Sequence, residues 1–228
     1  MERLFLVLGE AGIELVPRKL WSHRAIKSYA QRRDKRPSEV LLDISYHYSA
    51  MKKLRDWRKR GRPDIVHLCL LEALESPLNK RGMLEVYVHT YDNKVIYINP
   101  NVRLPRHYLR FVGLMEQLLL KGRVPPRVDE PLLKVERYGV EELMSKLNPS
   151  KTFLLDESGK RVRVMELARQ LLSEERPVLV IGAFQSGDFS ERVKGFADEV
   201  ISIYEDPLTA WTVVSRTITA VEILLGML

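Results

Sequence analysis

The chain has 228 residues, enough to bury a substantial core as one large or two small domains. Apolar residues make up 45% and charged residues 29%, the balance of an ordinary globular protein, and no apolar run is long enough to span a bilayer. The single cysteine, Cys69, excludes an intrachain disulfide framework.

The net charge of +7 is unevenly placed. From Arg18 to Arg62 there are fifteen Lys/Arg against four Asp/Glu, and from Lys94 to Arg127 seven against one, which leaves the rest net acidic. A segregated basic surface suits a polyanion binder, with nucleic acid the first candidate. The alternative is a solvated, charge-rich surface of the kind found in proteins from hot habitats. The N-terminus is apolar only over Leu4–Leu8 and has glutamates around it, unlike a secretory signal. With the lone thiol, this predicts a reducing, cytoplasmic setting.

In chain order, Leu4–Leu8 predicts a first strand, and Gly9 and Gly12 open a loop. Pro17–Arg32 predicts a helix with Leu20, Ala25 and Tyr29 on one face. Val40–Ile44 reads as a strand and Tyr46–Lys59 as a helix. In Arg62-Pro63-Asp64-Ile65-Val66-His67, Pro63 starts a helix to Leu74, Arg62 is held extended outside it, and Asp64 suits its first turn. Cys69 falls on that helix as a small buried hydrophobe. Ser76–Gly82 predicts a loop, and Leu84–Thr90 with Lys94–Ile98 a hairpin turning at Asp92-Asn93.

Pro105 predicts a helix start running to about Lys121, which puts Arg106 and Arg110 on one face and Arg103 on the incoming loop. Three arginines there suit phosphates or a base edge, or form a solvated face. Val124–Pro131 reads as a surface linker, Leu132–Val135 as a strand, Val140–Leu147 as a helix. Thr152–Leu155 and Arg161–Val164 flank Asp156–Gly159 as a second hairpin, before a helix over Met165–Leu172.

The last fifty residues have a different grammar. Val178–Ile181 is a short β-branched run of the kind buried on both faces, ending at Gly182. Val200–Tyr204 is another, and Asp206-Pro207 reads as a helix start before apolar residues at helical spacing, Ala210 to Leu225. Two strand ends therefore deliver loops beside a long helix, where open α/β sheets bind ligands. The loop from Gly182 to Gly187 is not a P-loop: Asp188-Phe189 follow it, so no lysine reaches a phosphate, and no Gly-x-Gly-x-x-Gly occurs. Spacing alone leaves it either scaffold or ligand loop. The five histidines are scattered without metal spacing, and no metal is expected. One compact α/β domain over 1–228, with a small β-rich elaboration at about 84–102, is the simplest partition.

Several motifs in fixed order carry a resemblance over nearly the whole chain. They are Arg62–His67, Glu75–Lys80, Leu84–Thr90, Asn99-Pro100, Arg103–Arg106, Arg110-Phe111 and Gly113–Met115. At the C-terminus they are Gly182–Phe184 with Gly187, and Pro207–Ala210. In these the chain resembles the pseudouridine-N1-specific methyltransferases of small-subunit ribosomal RNA, which also act in ribosome assembly. They are SPOUT-class enzymes that use S-adenosyl-L-methionine.

The resemblance implies a deep trefoil knot over about 177–228, a homodimer, and a cofactor pocket lined by Gly182, Gly187, Ile201, Ser202, Ile203, Tyr204, Glu205, Asp206, Leu208, Thr209 and Ala210. It implies a catalytic pair, Arg62 with Asp64, where Asp64 either orients Arg62 or acts as base. Arg62, Arg103, Arg106 and Arg110 would grip the RNA. The competing expectation is a non-catalytic ribosomal-RNA-binding assembly factor whose pocket serves only stability.

Overall fold

The structure, a computed structural model, describes residues 1–228. In chain order the elements are strand β1 (Leu4–Ala11) and helices α1 (Arg24–Arg32), α2 (Ile44–Met51), α3 (Pro63–Glu75) and α4 (Pro77–Lys80). Next come β2 (Leu84–Thr90), β3 (Val95–Ile98), α5 (Tyr108–Lys121), β4 (Arg123–Val124), β5 (Leu133–Val135), α6 (Val140–Leu147) and β6 (Lys151–Arg161). The chain closes with α7 (Val164–Ser173), β7 (Pro177–Gly182), α8 (Glu191–Lys194), β8 (Glu199–Ser202) and α9 (Ala210–Leu224).

All eight strands join one mixed sheet in the order β4-β5-β3-β2-β1-β7-β6-β8. From β2 to β8 the neighbours run parallel, and β3, β5 and β4 add antiparallel partners at one edge. The two-residue alternation of a strand sorts its side chains between the faces. Leu4, Leu6 and Leu8 of β1 enter the main core with Val66 and Leu70 of α3, Leu167 and Leu171 of α7, and Ile218 and Val221 of α9. Phe5 and Val7 enter a second core, under Leu143 and Leu147 of α6. Helices thus cover both faces, which explains why Leu4–Leu8 of β1 and Val178–Ile181 of β7 are apolar throughout. Cys69 lies fully buried on α3, as its neighbours predict.

The expected first hairpin forms, but β2 and β3 belong to the main sheet and make no separate elaboration. What stands apart is the basic excursion between β1 and α3. It has its own small core, with Ile26, Tyr29, Leu42 and Met51 among its members. Here helix formation is more broken than periodicity predicts. A 3-10 turn at Arg18–Leu20 precedes α1, which His23 caps by accepting from the Ala25 amide. No strand forms at Val40–Ile44; a lone antiparallel bridge joins Leu15 to Leu41, and Asp43 caps α2 instead. The helix over Tyr46–Lys59 ends at Met51, and Asp56 turns with φ of 51° before a 3-10 turn, Trp57–Lys59.

Four other expectations are corrected. Ser76–Gly82 holds the short helix α4, because Ser76 Oγ accepts from the Asn79 amide and Pro77 suits the first position. α5 starts at Tyr108, so Arg106 lies outside it and shares no helical face with Arg110. Thr152–Val164 is no hairpin. β6 is one strand, and Leu155 and Lys160 both oppose Ile201 of the parallel β8, with the residues between them bulged out. Gly159 permits this, since a Cβ there would lie 2.5 Å from the Ile201 nitrogen. Finally, Asp206-Pro207 does not start α9; Thr209 takes the capping position, and residues 203–209 stay irregular, with β8 ending at Ser202.

Candidate active site

The carboxyl ends of β6, β7 and β8 open onto a cavity of about 560 Å³, within the range of small-molecule sites. Ten of the eleven residues expected to form the pocket line it: Gly182, Gly187, Ile201, Ser202, Ile203, Tyr204, Asp206, Leu208, Thr209 and Ala210. Glu205 does not line it and is exposed. The walls also include Leu155, Phe184, Phe189, Trp211 and Val213, and four acidic side chains, Asp156, Glu157, Asp188 and Asp206. Arg62 supplies the one cation of the lining. Such a cavity disfavours a phosphate and suits a bent, partly apolar ligand with net positive charge.

Arg62 arrives there because the residue after β1, Gly12, sits against it. The Gly12 amide donates to the Ala183 carbonyl at 3.1 Å, and the Gly12 carbonyl accepts from the Arg62 amide at 2.9 Å. A Cβ on Gly12 would come within 2.8 Å of the Lys59 carbonyl, so only glycine allows the three backbones to meet. Arg62 Nε and Nη2 donate to the two oxygens of Asp64 at 2.8 and 2.7 Å, and Nη1 donates to Gln185 Oε1 at 2.7 Å. A guanidinium has five N–H donors. Three are committed, which fixes the plane and leaves two for a bound molecule. The Asp64 carboxylate holds the Arg62 guanidinium above its ordinary pKa.

A second clamp lies beside it. Lys59 donates to Glu10 and to the Asp188 carbonyl, and its ammonium sits 4.5 Å from the centre of the Phe184 ring. Glu10 also accepts from the Ser190 amide at 3.0 Å. The end of the basic excursion is therefore bolted to the loop that forms one wall of the cavity. Lys59, Gln185 and the carboxylates at 156–157 were missed in the sequence. Nothing in spacing marks Lys59 or Gln185, and Asp156-Glu157 reads as a hairpin turn.

Burial alone would raise the Glu10 pKa, but hydrogen bonds from Lys59 and Ser190 outweigh it and hold it below the ordinary 4.5. A carboxylate depressed in the folded state adds stability above its unfolded value, lost as pH falls through the folded one. Glu10→Gln should therefore lower the urea midpoint at pH 7, and its deficit against the parent should shrink below pH 4.5. A deficit that stays constant from pH 7 to 3 would contradict this.

The other arginines lie away from the cavity. Arg106 is paired with Glu75 of α3 at 3.0 and 3.2 Å, both on the surface. Arg103 and Arg110 are exposed and have no acidic partner. No cluster of His, Cys, Asp and Glu has the arrangement of a metal site.

Comparison with known proteins gives one consistent result. The family model described as EMG1/NEP1 methyltransferase matches residues 6–222. The ribosomal RNA small subunit methyltransferase Nep1 of Thermococcus kodakarensis is 48% identical over 98% of this chain and 100% of its own. The protein of that name from Staphylothermus marinus is 47% identical, covering 97% and 96%. The crystal structure of Archaeoglobus fulgidus Nep1 bound to S-adenosylhomocysteine superposes with a TM-score of 0.86 at 38% identity, covering 99% of this chain and 100% of that one.

Proposed function

The chain belongs to the EMG1/NEP1 methyltransferase family, and from that premise we propose that it methylates N1 of a pseudouridine in small-subunit ribosomal RNA, with S-adenosyl-L-methionine as donor. The carrying observation is Arg62, fixed by Asp64 and Gln185 on the wall of an otherwise acidic, apolar cavity. The donor fits that cavity: it is a cationic sulfonium with an apolar adenosine, and the neighbouring Archaeoglobus protein was solved with the demethylated form of the same molecule. Gly182, Ile201–Tyr204 and Leu208–Ala210 would hold it, largely through backbone and apolar contacts. When bound it supplies an electrophilic methyl group.

The chain's own part is positioning and charge control. Arg62 aims its two free donors at the base whose N1 must lose a proton, and favours the anion that results. Both oxygens of Asp64 already accept from Arg62, which supports an orienting role for Asp64 over proton abstraction. Arg103 and Arg110, unpaired and exposed, grip phosphates or flanking bases, with the target base turned out of its stack. Arg106 contributes less because Glu75 competes for it. The same surface serves small-subunit assembly in the cytoplasm. Family membership also supports a trefoil knot over 177–228 within one domain, and a homodimer.

The deciding test offers matched hairpins, one with uridine and one with pseudouridine, together with labelled donor. Label should enter only the pseudouridine RNA; equal labelling, or none, overturns the assignment. Arg103→Ala and Arg110→Ala should each weaken RNA binding and reduce the slope of log K against log salt by about 0.7–0.9 per lost phosphate contact. Arg106→Ala should change both less, and an unchanged slope in all three would remove the proposed grip.

A further inference from the structure

The basic excursion carries an aromatic pair that the cavity does not use, Tyr48 exposed and Trp57 half-buried against the excursion's own core. Tyr48, on α2, is 48% exposed. It meets Trp57 edge to face, with ring centres 5.6 Å apart at 79°. Lys52 lies over the Tyr48 ring at 4.6 Å, and Arg58 over the Trp57 ring at 5.3 Å. Lys52, Lys53 and Arg58 are exposed, and none has an acidic partner. The other cations between Lys52 and Arg62 do: Arg55, Lys59, Arg60 and Arg62 pair with Asp56, Glu10, Glu14 and Asp64. Within this stretch the three free cations are Lys52, Lys53 and Arg58, and two of them lie over the rings.

Trp57 packs in part against the excursion's own core, whereas Tyr48 stays largely in water beside unpaired cations. Burial would gain the rings apolar contact, and carboxylates would be the natural surface partners of the cations. Aromatic faces that stack bases, flanked by cations that hold the backbone, are instead the elements of a single-stranded nucleic-acid platform. We propose that Tyr48 and Trp57, with Lys52, Lys53 and Arg58, form a stacking site for unpaired ribonucleotides flanking the modified base. An acidic peptide would use the cations but give the rings less to do, so RNA is the occupant the composition favours.

The platform is rigidly linked to the cavity. Trp57 and Arg62 are five residues apart, which places their Cα atoms within about 18 Å of each other. Between them Lys59 is clamped to Glu10, and Arg60 donates Nε and Nη2 to the two oxygens of Glu14 at 2.6 and 2.5 Å. A strand stacked on Trp57 would therefore enter the site at a fixed distance and direction. This inference rests on the ribosomal RNA reading above.

The test compares two pseudouridine hairpins, one with single-stranded flanks and one trimmed to the stem and loop. Tyr48→Ala and Trp57→Ala should weaken binding of the flanked RNA about 5- to 100-fold and leave the trimmed hairpin bound as before. Trp57→Phe should restore most of the affinity, because a ring that only packed locally would not discriminate between the RNAs. Lys52→Gln and Arg58→Gln should lower the salt slope for the flanked RNA alone. Equal affinity of parent and alanine variants for the flanked RNA, or equal losses on both RNAs, overturns the platform. Methylation of the trimmed hairpin by the alanine variants at saturating RNA keeps that failure distinct from failure of the methyltransferase assignment.

Discussion

Arg62→Ala is expected to lower the turnover number for methyl transfer by about 100-fold or more, the usual cost of removing a preorganised donor from a site of developing negative charge. Affinity for S-adenosyl-L-methionine should hold, or tighten slightly, because a cation leaves an acidic wall. Arg62→Lys should rescue little: an ammonium keeps the charge but cannot span Asp64 and Gln185 in one plane. Asp64→Asn loses the charge and half the acceptor capacity facing Arg62, so a smaller fall, about tenfold, is expected, and Asp64→Ala should fall further. Gln185→Ala removes one of the three constraints and should act mildly. Single-turnover rates with saturating donor and RNA measure each. Near-parental rates in Arg62→Ala would remove the residue from the chemistry, and near-parental rates in both Asp64 variants would remove the carboxylate.

This hierarchy follows from geometry that the sequence carries only in part. The motif Arg62–His67 contains the pair and its proline-started helix, because those relations are local: two residues apart, one before and one after the first helical position. The partner that completes the guanidinium's plane, Gln185, is 123 residues away, and no local rule points to it. Long-range joins of this kind were legible only where glycine marked them. Gly12 reads as a loop opener, yet its consequence, three backbones in contact, needs the sheet order that sets β1 beside β7.

The same split explains the errors in the elements. Leu4–Leu8, Leu84–Thr90 and Val178–Ile181 read as strands because burial dictates most of their composition, and β1, β2 and β7 form there. Asp156–Gly159 reads as a hairpin because turn residues serve equally well in a bulge, and only the parallel partner β8 distinguishes the two. Asp206-Pro207 has the chemistry of a helix start, but α9 begins only at Ala210, with Thr209 at the capping position and no side-chain capping bond. The three residues the displaced start leaves in the loop, Pro207, Leu208 and Thr209, all line the cavity. Local rules were thus outvoted where the site is built.

Glu116→Ala is expected to be strongly destabilising although it lies outside the hydrophobic clusters. Glu116 was the one acid in the basic stretch from Lys94 to Arg127. It is 1% exposed on α5. Its Oε1 accepts from Arg33 at 2.7 Å and from the Leu41 amide at 3.0 Å, and its Oε2 accepts from Arg33 at 3.0 Å and from Lys35. It therefore ties the excursion, which has a small core of its own, to the main body. Removing a partner from a buried ion pair costs about 3–5 kcal/mol. Arg33 and Lys35 keep 22% and 31% of their side-chain surface in water, so both rehydrate in the variant, and the expected loss drops to about 2–3 kcal/mol, with the stranded Leu41 amide a principal part. For a chain of this size that is a fall in Tm of about 5–10 °C. The loss should be local before it is global: hydrogen exchange at Leu41 should accelerate first, and RNA affinity should fall more than donor affinity, because the excursion carries the cations and α9 with the β7–β8 loops carries the pocket. Glu116→Gln, which can still accept from Leu41 but presents an amide to the cations, should lie between. A Tm within one degree of the parent, with Leu41 exchange unchanged, would show that the excursion is held by its apolar contacts alone.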